Sequence, residues 1–568
     1  LSMPWIQKIL PSNYIMEIPL EIAPILADID RFLKGDAIGE GYFLSLVKGG
    51  SFRVKKYLWE SVTLPSIRGA SCLLDEINRK KIPEWVKEQA IPESLIFAGG
   101  GKCLLVLPEW QGEECACAIE ALYFENTWTA DSAAVTLRIN LDQLNAQNYS
   151  HTMRRLDDNL LQWQMLKMPE TSSPDTTPWL KNVQPISTEK EHCNCCKLRS
   201  AHWMESPSNE MEEDIYWCWS CARKTGKGKA GKASFREEVD KYYCEQMGPD
   251  AYHKLNQGKQ EIKSTKDIAD SIGVIYGDAN HMGGFVDSIV SLVGMRAFSM
   301  ETERVVKLAV YGALLNCKVD DTFNKFEIIA IGGDDVFLIV PGDEALRIAC
   351  EIGTRFEAAY QATDKSSSRL TMSIGVTLSS YRMPIRFLFE TAEQLLKSAK
   401  KKAKAEESME GTLDVLSLLG DASLGTTVSA VRGRQYKGPI YRTARPYTWT
   451  NVKALLKLSA NLRQQKLGNR IISLVQAIDK AATPLEAELY YAYLLSRMTE
   501  RDEQASKDAL NSVTQTLASP EWLNLLESIE NTGLFAKDVK GKETVYYSLW
   551  HDIAELWDAT GGYSDESV

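Results

Sequence analysis

The stretch Ile331-Gly-Gly-Asp-Asp-Val-Phe337 decides the fold of this chain. One apolar run, residues 326–331, leads into it, and a second, residues 336–340, leads out of it. Two short apolar runs around a turn that contains glycines predict a tight β-hairpin. Asp334 and Asp335 then stand side by side at the tip of that hairpin.

The segments around the hairpin follow a regular order of strands and helices. A buried strand, residues 271–276, ends at Gly277-Asp278, and another strand is predicted at residues 370–376. Helical periodicity marks residues 285–292, 303–315, 344–360 and 384–404. The order strand–helix–helix–strand–strand–helix–strand–helix predicts a ferredoxin-like palm with an antiparallel sheet. In that topology Asp278 lies beside the hairpin.

The carboxylates at these strand ends predict a metal-dependent site. Adjacent carboxylates repel one another, and a divalent cation removes the repulsion. Magnesium or manganese prefers oxygen ligands, so Asp278 and Asp334 are candidate ligands for ions that activate a ribose hydroxyl and neutralise a triphosphate. Asp335 would support this arrangement or bind metal itself. For Gly-Gly-Asp-Asp alone an ordinary turn is the simpler interpretation, which the flanking strands and Asp278 disfavour.

Four further residues are candidates for contact with a nucleotide. Gly332 and Gly333 would let the backbone turn and approach the nucleotide closely. Ser373 lies in the strand after the hairpin, and Lys400 lies in the last palm helix, from which it could reach triphosphate oxygens. A solvated helix face is an equally open interpretation of Lys400 and its neighbours.

An internal repeat predicts a second palm in the first part of the chain. Residues 95–108 parallel residues 328–341 at an offset of 233. The glycines recur at this offset, but Gly101 and Lys102 stand where the second copy has its two aspartates. The first palm is therefore predicted to be a degenerate copy that has lost its carboxylates.

A cysteine cluster predicts a structural zinc site. His192-Cys-Asn-Cys-Cys196 is followed, after twenty-one residues, by Cys218-Trp-Ser-Cys221. Paired knuckles of this kind supply four thiolates in the tetrahedral arrangement that zinc takes in closed sites. The ligands that we assign are Cys193, Cys196, Cys218 and Cys221. Cys195 or His192 could replace one of them.

Composition narrows the classes of function. The chain of 568 residues is long enough for several domains, and its net charge of −11 is unlike that of an autonomous nucleic-acid binder. No apolar run reaches the roughly 20 residues of a membrane helix, and the N-terminus does not resemble a signal peptide, so we expect a cytoplasmic protein without a membrane partner. Nucleic acid would have to be held by partner subunits or by two local basic patches. The first patch, which could equally be a flexible linker, is Arg223, Lys224, Lys227, Lys229 and Lys232; the second, which could equally be a solvated helix face, is Lys397, Lys400, Lys401, Lys402 and Lys404.

Changes of pattern along the chain predict five segments. They are a degenerate first palm at residues 1–165, a zinc-binding domain with a basic linker at 166–267, the second palm at 268–410, its end and a linker at 411–445, and a helical C-terminal domain at 446–568. The predicted fold class is α+β, with two ferredoxin-like palms, a zinc-binding domain between them and an all-helical C-terminal domain.

These features together resemble the polymerase-like large subunit of type III CRISPR effector complexes. The resemblance covers nearly the whole chain. The motifs that carry it are Arg68-Gly-Ala-Ser71, Leu73-Leu-Asp75, the hairpin at residues 97–108, Tyr276-Gly-Asp-Ala-Asn-His-Met-Gly283, residues 331–337, and Arg445-Pro-Tyr-Thr448.

The resemblance implies an activity and a set of partners. Asp278, Asp334 and Asp335 would polymerise ATP into cyclic oligoadenylate when target RNA pairs with a guide RNA. The chain would belong to a hetero-oligomer with guide RNA, backbone subunits and small subunits. The expected ions are structural zinc and catalytic magnesium or manganese.

Two departures from the family pattern are visible. Many members begin with an HD nuclease domain, and no His-Asp pair lies upstream of the first palm here, so we expect no HD nuclease activity and a shorter subtype such as type III-D. His551-Asp552 is interpreted as ordinary helix surface. Asn280 stands where the family often has an acidic residue, which weakens one metal contact.

Two alternatives stay open beside the synthase. One is a catalytically silent scaffold in the same complex. The other is a diguanylate cyclase-like enzyme, against which the continuation Asp335-Val-Phe337, the zinc knuckles and the twin palm all count.

Overall fold

A computed structural model shows how these segments fold. It describes residues 43–167, 183–186, 192–206, 213–229, 234–256, 262–316, 325–363, 370–405, 410–418, 427–437, 439–517, 528–529, 534–540, 543–557 and 559. The predicted first-palm residues before 43, and Lys232 of the first basic stretch, lie outside these ranges. Within the described ranges, no helix is long and apolar enough to cross a membrane.

The first palm is a four-stranded antiparallel sheet with helices packed on it. The chain order is β1 (Phe43–Ser51), α1 (Val54–Trp59), α2 (Leu64–Glu76), α3 (Ile82–Gln89), β2 (Leu95–Gly99), β3 (Lys102–Pro108), α4 (Gly112–Thr127), β4 (Ser132–Asn140) and α5 (Tyr149–Leu166). The strands lie in the order β2-β3-β1-β4, which is the ferredoxin-like order.

The zinc-binding region is a small sheet followed by helices. Its elements are β5 (Val183–Pro185), β6 (Trp203–Glu205), β7 (Ile215–Trp217), α6 (Trp219–Lys229), α7 (Ser234–Met247) and α8 (Pro249–Asn256). Three aromatic rings brace the start of α6, because Trp219 packs edge-on against both Trp203 and Trp128. Trp128 follows α4, so these contacts join the zinc-binding region to the first palm.

The second palm repeats the topology of the first. Its elements are β8 (Ser271–Asn280), α9 (Met282–Asp287), α10 (Leu292–Leu315), β9 (Glu327–Gly332), β10 (Asp335–Pro341), α11 (Ala345–Thr363), β11 (Thr371–Ser380), α12 (Ile385–Ala405) and β12 (Thr412–Ser417). The strands β9-β10-β8-β11 are antiparallel and lie in the order of the first palm. The predicted pair of ferredoxin-like palms is thereby confirmed.

The second palm differs from the prediction at three places. The strand predicted to end at Asp278 continues to Asn280, which pairs with Thr371. The helix predicted at residues 285–292 is found earlier, at Met282–Asp287, because Ser291 caps a new helix by accepting a hydrogen bond from the Gly294 amide. The sheet is also not wholly antiparallel: α12 carries the chain back across it, and β12 joins β11 in parallel.

The C-terminal region is mainly helical, but it also contains short strands that the predicted all-helical domain did not include. After α13 (Val428–Gln435), β13 (Tyr436–Lys437), β14 (Ile440–Tyr441) and β15 (Tyr447–Thr448) come α14 (Trp449–Gln464), α15 (Gly468–Lys480), α16 (Pro484–Ser496) and α17 (Glu500–Leu517). The last elements are β16 (Ser528–Ile529), β17 (Ala536–Lys540), β18 (Glu543–Tyr547) and α18 (Leu549–Glu555). The strand β15 extends the sheet of the second palm, while β13-β14-β18-β17-β16 form a separate sheet.

A buried ion pair ties the two palms together. The guanidinium of Arg68, on α2 of the first palm, donates to both carboxylate oxygens of Glu327 on β9, at 2.7 and 2.6 Å. It also donates to the carbonyl of Ile262, in the segment that precedes the second palm, at 2.8 Å. Moving the palms apart would leave each of these buried charges without its partner, which is energetically costly. The pair therefore fixes the two palms relative to each other.

A buried carboxyl group joins the second palm to the helical region. Glu357, on α11, accepts hydrogen bonds from the indole nitrogen of Trp449 at 2.6 Å and from the Gly411 amide at 2.7 Å. Loss of hydration raises the pKa of Glu357 to about 7, although these hydrogen bonds oppose the shift. The folded protein therefore keeps a proton on Glu357 at a pH where the unfolded chain has released it.

This raised pKa makes the stability of the protein depend on pH. Between the ordinary glutamate pKa of about 4.3 and the folded value of about 7, the folded state binds more protons, so stability falls as pH rises. Glu357→Gln keeps an acceptor oxygen and does not ionise. We expect its thermal unfolding midpoint, relative to wild type, to be higher at pH 8 than at pH 5, by the equivalent of about 3 kcal/mol.

The matched control is Glu351→Gln, on the same helix, whose carboxylate pairs with Arg355 at the surface. Its difference from wild type should stay the same at both pH values. A Glu357→Gln midpoint that tracks wild type across this range would contradict the assignment of a buried neutral carboxyl.

Candidate active site and metal cluster

The Gly-Gly-Asp-Asp stretch forms the predicted hairpin at the edge of the second palm. Gly332 pairs with Asp335, which leaves Gly333 and Asp334 as the two turn residues. Gly333 has a φ of +63°, a conformation that glycine adopts at little cost. The turn therefore presents the Asp334 and Asp335 carboxyl groups from consecutive residues.

The third carboxylate comes from the neighbouring strand. Val336 pairs with Gly277 of β8, so Asp278 lies one residue further along, beside the start of β10. Loss of hydration, a hydrogen bond to Asp278 and the charges of Asp278 and Asp335 raise the pKa of Asp334 to about 7. The structure thus brings the three predicted aspartates together at adjacent strand ends, where their mutual charges disfavour the ionised forms of Asp334 and Asp335.

A tyrosine missed by the sequence analysis supports Asp335. The Tyr276 hydroxyl donates a hydrogen bond to Asp335 Oδ1 at 2.9 Å. Burial and the Asp335 charge raise the pKa of Tyr276, so the phenol keeps its proton and remains a donor. The pKa of Asp335 is itself raised, by lost hydration and by Asp278. Tyr276 is two residues before Asp278, and this spacing on a strand was the signal for a shared face.

Two lysines approach the carboxylates from different parts of the fold. Lys400, on α12, forms an ion pair with Asp278 and donates to the Ala279 carbonyl at 3.0 Å. Lys55, on α1 of the first palm, pairs with Glu393 at 2.7 Å and lies 5.1 Å from the centre of the Tyr276 ring. The side chain of Lys400 thus lies at the predicted site, against an aspartate.

Ser373 lies beneath the site and does not line it. Its side chain is fully buried, and its hydroxyl donates to Asn280 Oδ1 at 3.0 Å. Asn280 in turn donates to the Thr371 hydroxyl at 2.9 Å. The structure therefore argues against the predicted nucleotide contact of Ser373, and Asn280 is committed to bonds within the protein.

The corresponding place in the first palm is filled by backbone. In register, Gly50 stands where the second palm has Asp278, and Gly101 and Lys102 stand where it has Asp334 and Asp335. The Ser51 amide donates to the Gly101 carbonyl at 2.8 Å, which closes the gap between strand and turn. A β-carbon at Gly50 would lie 2.0 Å from that carbonyl oxygen. The first palm has neither the carboxylates nor the space for them.

The two hairpins touch each other at their glycines. A β-carbon at Gly332 would lie 2.9 Å from Gly100 Cα, and one at Gly100 would lie 3.2 Å from the Gly332 carbonyl carbon. The tip of the degenerate hairpin is thus in backbone contact with the carboxylate-bearing one.

The four predicted zinc ligands form one buried cluster. One sulfur from each of Cys193, Cys196, Cys218 and Cys221 lies within 4.8 Å of the others, and the sulfurs of Cys196 and Cys218 are 3.9 Å apart. A zinc–sulfur bond of about 2.3 Å places tetrahedral sulfurs about 3.8 Å apart, so the donor set and its spacing fit zinc. Four protein ligands complete the tetrahedron, as in a structural site.

The two possible substitutes lie outside the group of four, although the Cys195 thiol also interacts with Cys221. The Cys195 sulfur contacts the Ser66 hydroxyl at 3.3 Å, on α2 of the first palm. His192 is exposed and bridges Ser200 through its backbone. Neither belongs to the group of four.

One family model matches the sequence of the second palm. Residues 271–409 match the family model described as Cas10/Cmr2, second palm domain. Residues 271–409 are thus similar to the second palm of the Cas10/Cmr2 family. No curated protein matches the chain in a sequence search.

The similarity to solved structures covers more of the chain than the second palm alone. The chain is similar to a structure titled as the Csm1-Csm4 cassette in complex with cA4, with a TM-score of 0.51 and 13% identity, over 87% of this chain and 70% of that one. For the cassette in complex with cA3 the TM-score is 0.51 and the identity is 14%, over 93% of this chain and 72% of that one. For the cassette in complex with AMPPNP the TM-score is 0.50 and the identity is 14%, over 81% of this chain and 65% of that one.

These comparisons confirm the resemblance drawn from the sequence and the predicted fold class. At such low identity the solved structures support the fold alone. Type III-D as the subtype stays a prediction.

The first basic stretch is not a linker in the described residues. It lies within α6, where the Lys224 ammonium is fully buried and donates to Glu60 Oε2 at 3.0 Å and to the Tyr57 carbonyl at 2.7 Å. Lys227 pairs with Glu76, and Arg223 stacks on Trp128. The glycines and lysines favour a flexible basic segment, but Arg223, Lys224 and Lys227 all interact with residues of the first palm.

The interpretation of His551-Asp552 as helix surface is also wrong for the aspartate. Asp552 is fully buried, and its carboxylate accepts hydrogen bonds from the Tyr447 hydroxyl and from the Ala444 amide at 2.9 Å. It also pairs with Arg445 at 3.0 Å. His551 lies 3.1 Å from Asp479. The pair therefore holds α18 to the segment that enters the helical region.

Serine substitutions test the cysteine assignment. We expect Cys193→Ser and Cys218→Ser each to lose the bound zinc and to lower the thermal unfolding midpoint, because a structural zinc contributes directly to folding. Zinc content is measured by mass spectrometry on the purified full chain. Cys195→Ser, one residue from a ligand, should retain its zinc. Retention of zinc in Cys218→Ser, or its loss in Cys195→Ser, would show that the ligand set is different.

Proposed function

We propose that this chain is the large subunit of a type III CRISPR effector complex, and that its second palm polymerises ATP into cyclic oligoadenylate when target RNA pairs with the guide. The observation that carries the proposal is the cluster of Asp278, Asp334 and Asp335 at adjacent strand ends. The cluster lies within the residues that match the Cas10/Cmr2 second palm. Similar folds have been solved in complex with cA4, cA3 and AMPPNP.

The carboxylates have distinct roles in this proposal. Asp278 and Asp334 would hold two magnesium or manganese ions, which would lower the pKa of a ribose hydroxyl and neutralise charge on the triphosphate. Asp335, held by Tyr276, would support that pair or bind metal itself. The ribose hydroxyl would lose its proton and attack the α-phosphorus of the next ATP, displacing pyrophosphate. Attack of the terminal ribose hydroxyl on the α-phosphorus of the chain's own 5′-triphosphate would displace a further pyrophosphate and close the ring.

The raised pKa of Asp334 is consistent with a cation site. Without a cation, the carboxyl groups reduce their repulsion by keeping a proton on Asp334 near neutral pH. A divalent ion replaces that proton and favours the ionised form. Gly333 would leave the backbone of the turn open to the nucleotide, since nothing lies within 4 Å of a β-carbon there, whereas the predicted nucleotide contact of Gly332 competes with its packing against Gly100.

The remaining regions have structural roles in this proposal. The first palm buttresses the hairpin through Gly100, and the cysteine cluster holds structural zinc. The divisions proposed are 1–165, 166–267, 268–410, 411–445 and 446–568.

The subunit would assemble in the cytoplasm with guide RNA, backbone and small subunits, and target RNA. Relatives of similar fold are titled as Csm1-Csm4 cassettes, which supports a hetero-oligomer.

Incubation with labelled ATP tests the synthase. The assembled complex receives ATP, magnesium or manganese, and matching target RNA, and the products are separated by chromatography. We expect oligoadenylates only with target RNA, and their loss in Asp334→Ala with Asp335→Ala, because the cations lose their ligands. The matched control is Asp343→Asn, an exposed acid just past the far end of β10, which should retain synthesis.

Two other outcomes assign a different function. A complex that binds target RNA but makes no product with either metal would be a silent scaffold. Consumption of GTP in place of ATP would indicate a diguanylate cyclase-like enzyme.

A further inference from the structure

The ammonium of Lys400 occupies a position that suits a metal ion. It pairs with the Asp278 carboxylate and donates to the Ala279 carbonyl at 3.0 Å. These two oxygens belong to consecutive residues at the end of β8, where the strand adjoins the hairpin. A carboxylate oxygen and a main-chain carbonyl oxygen are also the ligands that hard divalent cations take from proteins.

The ammonium and a divalent cation compete for these oxygens. Both are positive, and an ion bound to the same two oxygens would lie within about 3 to 4 Å of Nζ, where like charges repel strongly. Asp278 can therefore be neutralised by Lys400 or by a metal ion, but the two arrangements exclude each other. A cation entering the site has to displace the lysine.

The side chain of Lys400 can leave without movement of its helix. The neighbouring residues Leu396, Ala399 and Ala403 are buried where α12 packs on the sheet, so the backbone is held. The Lys400 side chain itself is about one-third exposed. Its four-carbon stem has several rotatable bonds and can turn the ammonium toward solvent or toward bound phosphate.

We infer that Lys400 is a built-in counter-ion that holds Asp278 in the cation-free site, is displaced when the divalent cation binds, and is thereby released to contact the triphosphate. The inference rests on the metal-binding part of the proposed function. It makes Lys400 a positioning residue for Asp278, and it explains how a cluster of three aspartates keeps its shape between turnovers.

Manganese binding to the full chain tests this inference without ATP or RNA. The free ion is followed by electron paramagnetic resonance during titration, and Asp278→Asn with Asp334→Asn defines the background. We expect Lys400→Gln to bind Mn²⁺ about fivefold more tightly than wild type, a change equal to about 1 kcal/mol, because the competing ion pair is gone. Lys401→Gln is the matched control, since Lys401 is exposed and has no hydrogen-bond or ion-pair partner in the described chain; its affinity should equal that of wild type.

Two further measurements keep the inference falsifiable. Lys400→Arg retains the charge and should bind Mn²⁺ no more tightly than wild type; Lys400→Met removes the charge with a side chain of similar length and should repeat the gain if Lys400→Gln does not fold. In the ATP assay, Lys400→Gln should raise the KM for ATP, because the released ammonium is no longer available to the triphosphate.

The outcomes separate this inference from the proposed function. Unchanged or weaker Mn²⁺ binding in Lys400→Gln or Lys400→Met would overturn it, even if the wild-type complex makes oligoadenylates. Tighter binding in these variants would support it, even if no oligoadenylate forms and the synthase proposal fails.

Discussion

The repulsion among Asp278, Asp334 and Asp335 is the constraint on which the rest of the second palm depends. Carboxylates at this spacing favour separation or protonation, and the raised pKa of Asp334 records that tendency. The protein opposes it with a lysine on one side and a phenol on the other, at Lys400 and Tyr276. Both groups stand on elements whose apolar faces are buried, so core packing sets the geometry of the charges.

The two palms share a backbone plan but differ in the side chains at their hairpins. Their sheets have the same strand order and matching hairpin registers. In the second palm a side chain at Asp278 projects into the space beside the turn, whereas in the first the turn itself bonds back to the strand through Ser51 and Gly101. The difference lies in a few side chains on an unchanged backbone plan.

Sequence reasoning succeeded where the signal was local. The hairpin and the cysteine ligands follow from short local motifs, and the twin palm follows from the repetition of one such motif. The three aspartates meet because strand pairing leaves few alternatives. It failed where partners are distant: Lys55 comes from the other palm, and the burial of Lys224 depends on α2 and α1. The strand β12 was missed because its parallel pairing is dictated by the crossover of α12.

The contact between Gly100 and Gly332 has a consequence for how such a protein can change over generations. A turn without catalytic side chains normally accepts substitutions, yet a β-carbon added at Gly100 would lie 3.2 Å from the carbonyl carbon of Gly332 in the second palm. A β-carbon at the next residue, Gly101, would instead lie near Val54 and Ser51 of its own palm. A substitution in the turn of the first palm can therefore disturb the second palm, although the first palm has no carboxylates of its own at this place.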